Sequence, residues 1–233
     1  MYNGIKIKEP FFEIGPKAYC YGEEMINLAK VADEASAKYD VQIILTPQYT
    51  DIPFIAKETK HLLVFAPHMD SLPIGRGIGS VLPEAVKFAG ATGVMLNHSE
   101  KRVSIAELNA AIKRADEVGL ATIVCADTIE EAMAIANLNP NIIVAEQPEL
   151  IGTGQTSDSD YFKRAIEAVH SVNPEIKVLT AAGISNGDDV YKVIKNGASS
   201  TGSSSAIFKA EDPAKMIVDM ISAVRRAWDE RHK

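Results

Sequence analysis

The 233-residue chain has only two cysteines, Cys20 and Cys125, and they stand in no metal-ligand spacing. That excludes a disulfide framework and a cysteine-built zinc site, and it fits a reducing, cytoplasmic setting. No apolar run is long enough (about 18 residues) to span a bilayer, so no membrane partner is expected. Met1 to Pro10 holds two lysines but lacks the apolar stretch of a secretory leader. Low-complexity tracts and long linkers are also missing, so residues 1–233 read as one domain. The 24 lysines and arginines are outnumbered by 31 aspartates and glutamates, and the net charge of −7 argues against a nucleic-acid surface. An anionic small molecule is still allowed, because backbone N–H groups and one lysine hold a phosphate whatever the total charge.

What is present is a repeating alternation. The composition is 46% hydrophobic, enough for a full core. Short β-branched or apolar runs recur near Phe11–Ile14, Val41–Leu45, Leu62–Ala66, Gly93–Leu96, Thr122–Cys125, Ile142–Ala145, Lys177–Thr180 and Ser200–Ser203. The last is a poor strand by propensity, being serine and glycine rich. Between the runs lie amphipathic stretches at helical spacing: Glu23–Ala37, Ala106–Val118, Glu130–Leu138, Tyr161–Val172, Asp188–Lys195 and Pro213–Trp228. Strand and helix in strict alternation imply right-handed β-α-β units, and eight of them favour a closed (β/α)8 barrel over an open sheet. An active site in such a barrel lies just beyond the C-terminal ends of the strands.

Three strand ends carry chemistry-bearing residues. After the fourth comes Leu96-Asn97-His98-Ser99-Glu100-Lys101-Arg102, which puts a histidine at the barrel mouth. After the sixth comes Glu146-Gln147-Pro148, running on to Gly152-Thr153-Gly154. A carboxylate where a buried strand stops is partly desolvated, which raises its pKa and suits it to proton abstraction. Lys17 follows the first strand. Ala181-Ala182-Gly183-Ile184-Ser185 and Gly202-Ser203-Ser204-Ser205-Ala206 follow the seventh and eighth, and small residues there let backbone N–H groups approach a phosphate. Each feature has a plainer reading: a structural histidine, solvated turn glutamates, a surface lysine and a flexible serine loop.

Taken together, Gly79-Ser80-Val81-Leu82-Pro83-Glu84-Ala85, Leu96-Asn97-His98-Ser99-Glu100-Lys101-Arg102 and Glu146 through Gly154 resemble the triosephosphate isomerase family. The likeness is to its shorter, archaeal form and runs from about the first strand to the last helix. The resemblance implies a cofactor-independent aldose-ketose isomerase without a metal. Glu146 would be the base, His98 a neutral electrophile and Lys17 the stabiliser of negative charge, with Glu100 in support. Gly152, Gly183, Ser204 and Ser205 would hold the phosphate, and Gln147–Gly152 would form a closing lid. The segment His68–Gly79 corresponds to the family's protruding third loop, which implies a homodimer or homotetramer built through residues 68–79.

The sequence also departs from the family pattern. The family reads Asn-x-Lys before its lysine, whereas here Gly15-Pro16-Lys17 stands, and Gln147 replaces the lid's first proline. Loss of the asparagine side chain removes two donors and an acceptor, and Gly15 is expected to open room near the carbonyl end. Three readings therefore stand beside a triose phosphate isomerase: an isomerase of a four-carbon ketose phosphate such as erythrulose phosphate, a non-catalytic phosphosugar-binding paralogue, and a different phosphate-binding barrel with lyase or epimerase chemistry.

Overall fold

A computed structural model of the chain describes residues 1–146, 159–180 and 183–233, with the backbone alone at 159 and 160. Its strands are β1 (Phe11–Ile14), β2 (Gln42–Leu45), β3 (Leu62–Ala66), β4 (Gly93–Leu96), β5 (Ala121–Ala126), β6 (Ile142–Ala145), β7 (Lys177–Thr180) and β8 (Ser200–Ser203). All paired strands are parallel, in the order β7-β6-β5-β4-β3-β2-β1-β8. The sheet therefore curls until its two end strands, β8 and β7, face each other. Side chains bridge that seam: Thr180 Oγ1 donates to the Ser200 carbonyl at 3.2 Å, and Ser200 Oγ donates to the Val178 carbonyl at 3.0 Å. The serine content that makes β8 a poor strand by propensity is what hydrogen-bonds the barrel shut.

Strand periodicity separates two cores. Phe11, Ile44, Phe65, Met95, Ile123, Cys125, Ile142, Val144 and Leu179 point into the barrel, and Ile7 of the N-terminal segment packs with them. Their neighbours Phe12, Ile43, Val64, Val94, Val124, Ile143 and Val178 point outward against the helices. A period of two thus fills both faces of one sheet, as a parallel barrel requires. Gly93 is part of this packing, since a Cβ there would stand 2.3 Å from the Phe65 ring.

The helices are α1 (Gly22–Tyr39), α2 (Ile52–Glu58), α3 (Pro83–Phe88), α4 (Ile105–Val118), α5 (Ile129–Ala136), α6 (Ser159–Val172), α7 (Gly187–Lys195), α8 (Ser205–Phe208) and α9 (Pro213–Arg231). Ser104 caps α4 in a reciprocal capping box with Glu107, and Thr128, Asn186 and Asp212 cap α5, α7 and α9 through their side chains. The six helices expected from amphipathic spacing are all present. Helices α2, α3 and α8, of seven, six and four residues, fall below the length at which periodicity is readable. Among the described residues no helix is long and apolar enough to cross a membrane.

Candidate active site

A cavity of about 810 Å³ opens at the C-terminal ends of the strands. Of the residues singled out in the sequence, Gly15, Lys17, His98, Glu100, Glu146, Gly183, Ser204 and Ser205 all line it. Gly152 and the rest of the 147–152 lid segment lie outside the described residues.

His98 is aimed by its own strand end. Asn97, buried and left-handed at φ 60°, turns the chain sharply after β4. Its side chain donates to the Cys125 carbonyl at 3.0 Å and to Glu131 Oε1 at 3.2 Å, and its Oδ1 accepts from the Val103 N–H. Arg102 pairs with Glu131 and with Asp127, which pins the rest of the loop. The Glu100 N–H donates to His98 Nδ1 at 3.1 Å. Nδ1 is therefore an acceptor, and in the neutral ring the proton sits on Nε2. Burial lowers the His98 pKa, the Lys17 charge lowers it further, and Glu100 only partly opposes them. A neutral imidazole with Nε2–H as donor follows from the surroundings.

Glu146 leaves β6 with its N–H donating to the Ala126 carbonyl at 3.1 Å, which extends the ladder by one residue. Desolvation raises its carboxyl to about 7; Lys17 opposes the rise, and Asp127 and Glu100 add to it. A carboxylate of that basicity accepts a carbon-bound proton far better than an exposed one.

Lys17 adopts a left-handed backbone at φ 49°, its carbonyl held by Gln48 Nε2 at 2.5 Å. Its Nζ reaches Glu100 Oε1 at 2.8 Å, joining the loops after β1 and β4 across the cavity. For the Glu100 carboxyl, burial acts upward, but the Lys17 hydrogen bond and charge outweigh it and hold the pKa below the ordinary glutamate value.

The far side of the cavity is lined by Gly183, Ser204 and Ser205. Gly183 is left-handed at φ 70°, and Ser204 precedes the short helix α8. Ser203 Oγ donates to the Ile184 carbonyl at 3.4 Å, linking the loops after β7 and β8. Ser204 Oγ is buried without a hydrogen-bond partner among the described residues. Among the described residues no group of three or more His, Cys, Asp or Glu is arranged to hold a metal ion.

A family model described as triosephosphate isomerase matches residues 16–224. The chain belongs to the triosephosphate isomerase family. It is 42% identical to the triosephosphate isomerase of Methanobacterium bryantii over 206 residues, covering 87% of this chain and 91% of that protein. It is 38% identical to the enzyme of Saccharolobus solfataricus over 226 residues, covering 95% and 99%. With the triosephosphate isomerase of Sulfolobus acidocaldarius it shares 36% identity over 230 residues, 97% and 99% of the two chains. The barrel inferred from alternation and the family inferred from strand-end motifs therefore both hold.

Against the triosephosphate isomerase pattern, one expectation needs correction. Gly15 does not leave open room. A Cβ at Gly15 would stand 3.1 Å from Glu13 Oε1 and 3.6 Å from Thr46 Oγ1, so the Glu13 carboxyl fills the space beside it. Thr46 Oγ1 donates to Glu13 Oε1 at 2.7 Å, and both residues line the cavity. Glu13 was missed in the sequence, although a signal existed. It is the lone charge in the apolar run Phe11–Ile14, and it shares strand parity with the inward-facing Phe11.

Proposed function

We propose that the chain interconverts dihydroxyacetone phosphate and glyceraldehyde 3-phosphate through an enediolate, with its own side chains as the only catalysts. The observation that carries this reading is the pairing, in one cavity, of a carboxyl raised to about 7 with a histidine whose Nδ1 is occupied as an acceptor. Glu146 takes the proton from the carbon next to the carbonyl and returns it to the neighbouring carbon. His98 Nε2–H hydrogen-bonds the carbonyl oxygen while charge builds there, and a neutral ring does this without holding a permanent cation against the ketone. Lys17 supplies the positive charge for phosphate and enediolate, and Glu100 fixes the ammonium in place. Gly183, Ser204 and Ser205, together with Gly152, hold the phosphate, and residues 147–152 close over it to keep water from the intermediate.

The relatives named above are called triosephosphate isomerases over nearly their whole length, which supports the same substrate here. The protruding segment supports self-association. Its neck is closed by the Asp70 N–H donating to the Val81 carbonyl at 3.0 Å and the Val81 N–H donating to Asp70 Oδ2 at 2.6 Å. Beyond the neck it presents Ile74 and Ile78, 74% and 108% exposed. Apolar side chains on a loop tip fit a groove on a second copy, so a homodimer or homotetramer through residues 68–79 belongs to the proposal.

The test is a substrate panel with purified protein: both triose phosphates and the erythrulose phosphates, with and without chelator. Rapid, chelator-resistant triose phosphate interconversion is expected. Four-carbon turnover with poor triose turnover would replace this substrate by a longer one, and no turnover at all would leave a binding role.

A further inference from the structure

The cavity floor holds a polar group that the proposed chemistry leaves unused. Glu13 sits on β1 opposite Gly202 of β8 in the register, one step deeper than the strand-end pair of Ile14 and Ser203. The phosphate donors at Ser204 and Ser205 lie beyond that strand end, so the carboxyl is below them. Two glycines flank it. A Cβ at Gly202 would stand 3.1 Å from Glu13 Oε2 and 2.9 Å from the Glu13 carbonyl oxygen, and a Cβ at Gly15 would stand 3.1 Å from Oε1. The backbone has thus been stripped of side chains on both sides of one carboxyl.

The hydrogen bonding of that carboxyl is half complete. Oε1 accepts from Thr46 Oγ1 at 2.7 Å, while Oε2 has no hydrogen-bond partner among the described residues. Oε2 is not one of the buried polar atoms that lack a partner, so it is open to the cavity and free to meet a ligand there. Here the free oxygen belongs to a residue that lines the same cavity as His98 and Glu146. Desolvation raises Glu13 to about 7; the Thr46 hydrogen bond and Lys17 oppose that rise, and Glu146 adds to it.

We propose that Glu13, oriented by Thr46, contacts the substrate and fixes its specificity, its Oε2 binding a hydroxyl at the end of the carbon chain remote from the phosphate. The claim rests on the phosphosugar reading above and adds the ligand class of the floor: a hydroxylated carbon end rather than an alkyl one. Near neutral pH the carboxyl is available in both protonation states. Ionised, it accepts from a hydroxyl of the ketose; protonated, it donates to the carbonyl of the aldose.

Binding of two probes that cannot isomerise separates this role from a structural one. sn-Glycerol 3-phosphate carries hydroxyls on the carbons away from its phosphate, and propyl phosphate has the same length without them. Calorimetric titration of the wild-type protein is expected to show glycerol phosphate binding at least about tenfold tighter, the worth of one hydrogen bond to an ionisable group. In Glu13→Ala that preference should collapse while propyl phosphate binding stays unchanged. Thr46→Val should reduce the preference without removing it. A wild-type protein with no preference, or a Glu13→Ala variant that keeps it, would overturn the proposal. So would equal weakening of both probes, the mark of a merely structural residue. Wild-type turnover in the substrate panel is read separately, so a failure of the triose phosphate reading would be seen apart from this one.

Discussion

At the residue scale, the proposed chemistry depends on two groups whose ordinary titration has been displaced in useful directions. Glu146 must be ionised to take a proton, and desolvation places its pKa at about 7. The rate at limiting substrate should therefore fall on the acid side of about pH 7, approaching tenfold per unit, as a pH profile of kcat/KM would show. Glu146→Gln should lower kcat by roughly 10²–10⁴ with little change in phosphate affinity, measured by steady-state kinetics and phosphate inhibition. His98→Gln should cost roughly 10²–10³ in kcat by the same assay, since it removes the donor aimed at the developing oxyanion. The raised carboxyls also act on stability. A group whose pKa is higher folded than unfolded gives stability that is present below the unfolded value and lost as pH rises through the folded one. Glu13, at about 7, falls in this class. Glu13→Gln should thus melt progressively higher than the wild type as pH climbs from about 4.5 to about 7, the gap levelling off above that, followed by thermal denaturation. His98, Glu146 and Lys17 were legible in the sequence because strand ends expose them. Glu13 showed in the sequence only as a lone charge in an apolar run; its surroundings, a threonine just beyond the next strand and a glycine on the other neighbour, are set by strand pairing and are not local in sequence.

At the scale of elements, β8 shows how a strand can be held by side chains. Ser200 and Thr180 bridge to the carbonyls of Val178 and Ser200, joining the two end strands of the sheet. Ser200→Ala removes one bridge at a fully buried position and should cost about 1–3 kcal/mol, read as a lower denaturant midpoint at unchanged slope. Apolar runs located the first seven strands, with β2 starting one residue later than expected and β5 extending one further at each end, while β8 was placed by its position in the repeating alternation. The long amphipathic helices were equally legible. Helices α2 and α3, with prolines in their first turns, are too short to develop a face, and they form because the barrel needs a connection there.

At the scale of the whole molecule, the barrel brings together loops far apart in sequence, and residues 68–79 reach away from it. Asp70 and Val81 fasten the loop at its base, leaving Ile74 and Ile78 as apolar ends in search of a cover. Ile78→Asp should shift the protein toward monomer in analytical ultracentrifugation. The central claim, proton transfer by Glu146 across an enediolate, is tested most directly by running the triose phosphate reaction in deuterated water and following the product by NMR. The account predicts that solvent deuterium enters the carbon next to the carbonyl and that Glu146→Gln slows exchange and turnover together, by roughly 10²–10⁴. Interconversion without deuterium entry, or exchange that runs at the wild-type rate in Glu146→Gln, would contradict it.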